Sequence, residues 1–319
     1  MFTSVRIVAK YNIAITPAVI GTVRNASRVL LNSGWKSKRI CCYQPPYFML
    51  TFTLPDGLRR VARSHQKLFY NLLFRASAAA TQKLAQDPRF IGGQVGMVGV
   101  LHTWGRTLTY HPHVHYLVPA GGVDETGNWV PGRNAFLLPV KALAKIFRAK
   151  FRQALRKSAC YDVVPSKVWR RPWVVHCKSV GDGASALKYL APYIFRVAIS
   201  NKRIARMTDT HISFRYRSTK TGKIKTCTLS AEEFIRRFLQ HVLPKGFVKV
   251  RYYGFFSPGL RTKLASVHEQ LDGSRALECA SDNQSQTNED GCSDDMLCPL
   301  CGQVMRKLKH IPAHADKPP

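Results

Sequence analysis

Acidic side chains are scarce in this sequence. The 319-residue chain carries 18 Asp+Glu against 49 Lys+Arg, a formal net charge of +31. A fold does not need that excess, and self-repulsion opposes compaction. A polyanion neutralises it, nucleic acid being the commonest; acidic membranes and the ribosome are the other classes that charge alone leaves open. No run of 18 apolar residues occurs, so no membrane-spanning helix is expected. The nine cysteines form no regular secreted framework, which points to a reduced, cytoplasmic setting. Arg6 and Lys10 precede an apolar stretch at residues 13–23. Lys10 and Asn12 shorten that stretch and Pro17 interrupts it, which argues against a signal peptide. There is no internal repeat, and no cluster of Asp and Glu of the two-metal nuclease kind.

What is present is patterned. Residues 1–45 show no clear periodicity. Residues 48–54 read as a strand closed by Pro55-Asp56-Gly57. Residues 58–84 read as one long amphipathic helix, with Val61, Leu68, Leu72, Ala76 and Ala79 at helical spacing. Strands are expected at 93–101, 113–118 and 172–180, a loop at 121–127, and helices at 143–155 and 184–196. Residues 212–217 and 223–229 flank Thr219-Lys220-Thr221-Gly222, a hairpin signal. Ser230-Ala231-Glu232-Glu233 is a capping box opening a helix to about His241. Lys249 to Phe256 interleaves cations with aromatics. Such a stretch can track a single nucleic-acid strand, but a core strand is the preferred reading.

The sharpest local signal is Leu101-His102-Thr103-Trp104 followed by His111-Pro112-His113-Val114-His115-Tyr116-Leu117. Strands alternate their faces. Val114, Tyr116 and Val118 therefore share a face suited to a core, and His113 and His115 share the other, with His111 if the strand begins that early. Two imidazoles at this spacing can converge on one metal ion, and His102 on a neighbouring strand can supply a third. Imidazoles alone suit Zn, Fe, Ni or Mn better than Mg.

Further on, Lys188-Tyr189-Leu190-Ala191-Pro192-Tyr193 runs to Arg196. On a helix Tyr189 and Tyr193 share a face. Beside Lys188, Arg196 and a metal, their hydroxyls can serve as nucleophiles. Two tyrosines at this spacing are ordinarily packing residues; the histidine strand upstream reverses that preference. Pro192 kinks such a helix.

The chain resembles the transposases of the insertion sequence 91 family, within the HUH endonuclease superfamily. The matching text is Leu50-Thr51-Phe52-Thr53-Leu54-Pro55, Leu101-His102-Thr103-Trp104-Gly105, His111-Pro112-His113-Val114-His115, Tyr189-x-x-x-Tyr193, and Ile199 to Ile204. The resemblance covers roughly residues 47–258. It implies an α+β fold in which a central antiparallel sheet carries the histidine pair His113 and His115, flanked by helices. It implies a divalent metal, Mg or Mn, with His102 as third ligand, and Tyr189 and Tyr193 as the two nucleophiles of the two-tyrosine class. The partner implied is single-stranded DNA at transposon ends and target, in the bacterial cytoplasm at the nucleoid. The family usually begins with a cysteine-rich zinc-binding module; here only Cys41 and Cys42 precede the strand at Phe48.

The domain reading is therefore a degenerate or truncated segment at 1–45, a catalytic domain at 46–260, a helix end and flexible acidic linker at 261–297, and a small tail at 298–319. Residues 273–297 hold six of the 18 acidic residues. In the tail, Cys298, Cys301, His310 and His314 spell a knuckle-like zinc set with a short central gap; Cys279 or Cys292 can substitute. The function expected is a DNA transposase that nicks and rejoins single strands through a 5′-phosphotyrosine link. The alternatives are a non-catalytic basic nucleic-acid binder or an inactive transposase remnant. A conjugative relaxase is disfavoured, because its tyrosines would normally precede its histidines.

Overall fold

A computed structural model of the chain describes residues 45–133, 135–182, 198–219 and 221–282, with side chains to residue 271. In chain order the first elements are β1 (Tyr47–Thr53), α1 (Asp56–Ser64), α2 (Gln66–Ala85), β2 (Met97–Trp104), β3 (Tyr110–Pro119), β4 (Gly121–Val123), β5 (Trp129–Pro131) and α3 (Val140–Leu155). Then come α4 (Lys167–Arg170), β6 (Val175–Gly181), β7 (Ile204–Met207), β8 (His211–Arg217), β9 (Ile224–Ser230), α5 (Ala231–Leu239), β10 (Val250–Tyr253) and α6 (Arg261–Asp282). The central sheet is antiparallel throughout, in the order β10-β2-β3-β1-β6. The α+β expectation, a central antiparallel sheet with helices beside it, holds; the tail at 298–319 lies outside the described residues.

β3 is the middle strand, and its alternation sets both faces. Val114, Tyr116 and Val118 are fully buried. They join Phe48, Leu50 and Phe52 of β1, Leu101 of β2 and residues of α2 and α3 in one core. Phe52 packs edge-on against Tyr116 (5.9 Å between ring centroids) and Phe147 (5.2 Å). The buried Tyr116 hydroxyl is satisfied by Ser77 Oγ at 2.9 Å and the Phe74 carbonyl at 3.1 Å.

The opposite face is divided along its length. At one end Tyr47, Met49, Val98, Val100 and Leu117 pack with Val250, Phe255, Phe256 and Val267 of α6. There Gln270 of α6 accepts the Trp129 N–H at 2.6 Å and donates to the Gly127 carbonyl at 3.0 Å. At the other end the same rows continue into polar groups: His102 after Val100 on β2, His115 and His113 beyond Leu117 on β3, Thr51 after Met49 on β1.

A second sheet, β7-β8-β9, packs with α5 around Ile212, Phe214, Phe234 and Ile235. Leu108, in the β2–β3 turn, is buried in that cluster with a left-handed φ of 60°. Three successive carbonyls of this turn accept bonds from elsewhere. Arg106 O receives Arg203 Nη2 (2.6 Å), Thr107 O receives Arg237 Nη1 (3.1 Å), and Leu108 O receives His241 Nε2 (3.1 Å). The turn that joins the histidine strands is thus clamped by two guanidinium groups and a buried imidazole.

Several boundaries differ from the sequence reading. The helix expected over 58–84 is two helices, broken at His65. Leu58 and Ala62 point inward, but the next place on that stripe holds His65 and Gln66, and the chain turns His65 to solvent. After the break the stripe is re-phased, so Ala79 is exposed rather than core-facing, while Val61 and Leu68 are only half-buried. The strand expected at 93–101 is shifted to Met97–Trp104, and the one at 113–118 extends to Tyr110–Pro119. The expected loop at 121–127 contains β4, which pairs with β5. Asp124 closes that turn by accepting from Thr126 Oγ1 (2.7 Å) and the Asn128 N–H (2.8 Å), and Gly121 leaves room for the Trp129 ring. The capping box is half formed. Ser230 Oγ accepts the Glu233 N–H at 3.3 Å, but the Glu233 carboxylate turns to Arg236 and Arg237. Residues 249–256 supply β10 and buried Phe255 and Phe256, the core reading.

His241 gives the fold a pH dependence. It is buried, its Nδ1 accepts from Thr103 Oγ1 (3.2 Å), and burial lowers its pKa to about 4. The unfolded chain, with an ordinary histidine near 6.5, takes up the proton first as pH falls. This contribution is therefore complete above about pH 6.5 and is lost between there and pH 4, up to about 3 kcal/mol. Denaturant unfolding with EDTA present should show stability falling across that window, and a shallower fall in His241→Gln. Equal slopes for the two proteins would remove His241 from the explanation.

Candidate metal centre

The paired alternation of β2 and β3 brings three histidines together. His102 pairs with His113 across the strands, and His115 lies opposite Val100, one step along the same face. Ring centroids are 4.8 Å apart for His113–His115, 4.9 Å for His102–His115 and 5.4 Å for His102–His113. Their candidate ligand nitrogens all lie within 4.8 Å of one another. Among the described residues this is the one cluster of three such groups, and no carboxylate or thiol joins it.

The hydrogen bonds fix which nitrogen faces the centre. His113 Nδ1 lies 2.6 Å from the His111 carbonyl, which can only accept, so Nδ1 carries the proton and Nε2 keeps its lone pair. His115 Nδ1 is 2.9 Å from Thr51 Oγ1, on the adjacent strand; with Nδ1–H donated to that oxygen, Nε2 is again the free ligand atom. These are the outer contacts that orient metal-binding imidazoles in general. His102 is 3% exposed and stacks on the Trp104 ring at 4.6 Å. Lys249 Nζ lies over the same indole at 5.2 Å, and burial lowers its pKa to about 8.

Electrostatics favour neutral rings. Burial pushes His113 well below the usual histidine range, with His115 adding to the effect, and pushes His115 down to about 4. Neutral imidazole is the form that ligates metal, so the donor chemistry fits a divalent ion bound by nitrogen.

His111 has a different role. It shares the histidine face, 5.2 Å from His113 by ring centroid, but its Nδ1 accepts from Arg59 Nη2 at 2.7 Å. Its lone pair there is already used. Tyr189 and Tyr193, with Lys188 and Arg196, lie outside the described residues, as do Cys298, Cys301, His310 and His314. Ala198 is buried in the same cluster as Leu108, against which Trp104 packs. Sequence reasoning missed Thr51 and Arg59. The partnership of Thr51 depends on the β1–β3 register, and that of Arg59 on a contact 52 residues away in the chain.

The geometry can be set beside known proteins. Residues 96–263 match the family model Y2_Tnp, described as "Putative transposase". The chain is similar to "Putative transposase y4qJ" of Sinorhizobium fredii (strain NBRC 101917 / NGR234), 37% identical over 265 residues, covering 76% of this chain and 67% of that one. It is also similar to "Transposase for insertion sequence element IS801" of Pseudomonas savastanoi pv. phaseolicola, 31% identical over 231 residues, covering 66% of this chain and 54% of that one. The matched region thus spans between about half and two thirds of the length of these relatives.

Titration with Mn²⁺ followed by electron paramagnetic resonance should give a single tight site that His113→Ala/His115→Ala abolishes. Thr51→Val, which keeps the shape but removes the acceptor, should weaken the site about 10- to 100-fold with the fold intact. Wild-type affinity in Thr51→Val would show that its hydroxyl does not orient His115.

Proposed function

Because the chain belongs to the Y2_Tnp transposase family, we propose that it nicks and rejoins single-stranded DNA at the ends of a mobile element through a tyrosine-linked intermediate. The observation that carries the reading is the three-histidine cluster, with its ligand nitrogens converging and the outer nitrogens of His113 and His115 occupied. A divalent ion, Mn or Mg, held by His102, His113 and His115 would polarise the scissile phosphate and neutralise charge as it develops.

The protein groups divide the rest of the work. The hydroxyl of Tyr189 or Tyr193 attacks phosphorus. The new Tyr O–P bond forms as the bond from phosphorus to the 3′ oxygen breaks. The phenol gives up its proton, and the departing 3′ oxygen takes one up. The products are a 5′-phosphotyrosine and a free 3′-OH. A 3′-OH attacking that link restores the diester without ATP, because the bond energy is conserved. Lys188 and Arg196 steady neighbouring phosphates. Two tyrosines allow two such links, one for each of two cuts, as rolling-circle transposition requires.

The DNA strand needs a surface. The outer face of the small sheet presents Arg206, Arg215 and Arg217, all exposed, with Thr226, Thr228 and a 67%-exposed Ile224. None of the three arginines has a carboxylate partner among the described residues. Uncompensated guanidinium groups around an apolar side chain suit a phosphate backbone with exposed bases.

Two outcomes are expected. Incubated with labelled single strands from the ends of its own element and Mn²⁺, the protein should yield a covalent adduct on a denaturing gel. EDTA and Tyr189→Phe/Tyr193→Phe should each abolish the adduct. Strand binding without an adduct would instead favour a plain nucleic-acid binder or an inactive remnant. Replacing Arg206, Arg215 and Arg217 by Ala should flatten the dependence of log affinity on log salt by about 2.

A further inference from the structure

We infer that Arg59 is a phosphate-binding residue of the histidine site, its guanidinium holding the DNA backbone beside the bound ion. This rests on the transposase reading above. The residue belongs to α1, which follows β1 directly and is pinned by buried Leu58 and Ala62. β1 ends at Thr53, opposite His113, so α1 begins where the histidine rows run out. From there Arg59 reaches His111, and Nη2 donates to Nδ1 at 2.7 Å.

The surroundings of the guanidinium are unusual for an arginine with a purely structural task. Its bonded partner is a neutral imidazole, which carries no compensating charge. The nearest acid in sequence, Asp56, accepts the Gly57 N–H at 3.0 Å and contributes to Arg59 only through space. Arg59 Nε is buried and finds no acceptor among the described residues. A buried N–H of a charged group without an acceptor is costly, and native structures rarely tolerate it without a functional reason. The missing partner is an anion. A phosphate matches the fork geometry of guanidinium, offers oxygens for Nε and Nη together, and supplies the charge that the site lacks. Neutral histidines leave a bound divalent ion with its full charge, so ion and Arg59 together attract a polyanion more strongly than either does alone.

A rival account is purely positional. The His111 carbonyl receives His113 Nδ1–H, and on that account Arg59 holds His113 in place through His111. The two accounts differ in what they do to metal and to DNA. The full chain is compared with Arg59→Gln and Arg59→Lys, using a fluorescent 20-nucleotide single strand carrying the element's terminal sequence. In EDTA, Arg59→Gln should bind with a log–log salt slope shallower by about 0.7, one phosphate contact, while Arg59→Lys keeps the slope. With Mn²⁺, strand cleavage should fall about 100-fold in Arg59→Gln and about 10-fold in Arg59→Lys, with Mn²⁺ affinity unchanged. An unaltered slope and unaltered cleavage in Arg59→Gln would overturn the inference. So would a loss of Mn²⁺ affinity large enough to explain the loss of cleavage. If wild type never cleaves, the transposase reading fails, and the slope in EDTA still decides whether Arg59 meets a phosphate. Should Arg59→Gln not fold, full cleavage by Arg59→Lys would overturn the inference and its tenfold reduction would support it.

Discussion

The two-residue alternation of β3 is the constraint on which both the core and the site depend. Val114, Tyr116 and Val118 are driven into the core beneath α2 and α3 because apolar area leaves water there. Once they are fixed, His111, His113 and His115 have no choice of face. A slip of one residue would bury three imidazoles and expose two valines and a tyrosine. β3 also has a partner on each side, so β1 delivers Thr51 to His115 and β2 delivers His102 to His113 through the same ladder bonds. Hydrophobic burial on one face therefore sets the ligand geometry on the other, with no separate folding requirement for the site.

The cluster is built from neutral nitrogen donors. Among the described residues no Asp or Glu approaches the three histidines, and Glu233 is committed to Arg236 and Arg237. A carboxylate-rich site would neutralise a divalent ion and lower its appetite for phosphate. Imidazoles would hold an ion while leaving its charge for whatever enters next. Arg59 on His111, Lys249 over Trp104 and the arginines of β7 and β8 extend the same bias outward. The charge excess of the whole chain is in this sense organised: among the described residues, Arg206, Arg215 and Arg217 form no ion pair and no carboxylate joins the histidine cluster. The cost is repulsion among cations, and it falls where a polyanion relieves it.

How much of this was legible in the sequence depends on how local each signal is. The strand at β1, the helix at α3, the β8–β9 hairpin and the Ser230 cap all follow from patterns within a dozen residues, and each is found. The histidine face was legible for the same reason, since alternation is a property of one strand. The break at His65 was harder, because Leu58 and Leu84 sit on stripes that look continuous until the polar pair His65-Gln66 is placed against the core. The β4–β5 pair escaped because its turn is built by one side chain, Asp124, rather than by a run of strand formers. Thr51 and Arg59 were invisible for a different reason. Their roles arise from register and from the end of the sheet, and no periodicity encodes a contact made across 64 or 52 residues.

The β2–β3 turn explains how a site so exposed to charge repulsion stays in shape. His102 and His113 lie on the two arms of one hairpin, so any fraying at its tip would separate them. The tip contains Leu108 in a conformation that residues with side chains seldom adopt, a local strain that must be held from outside. Burial of Leu108 in the second cluster holds it on one side. On the other, Arg203, Arg237 and His241 bind three successive carbonyls. Arg237 is itself fixed by Glu233 at 2.7 Å, and Glu233 by the cap at Ser230. The small sheet with its helix therefore braces the hairpin that carries all three histidines of the cluster, and its outer face is the one that carries Arg206, Arg215 and Arg217.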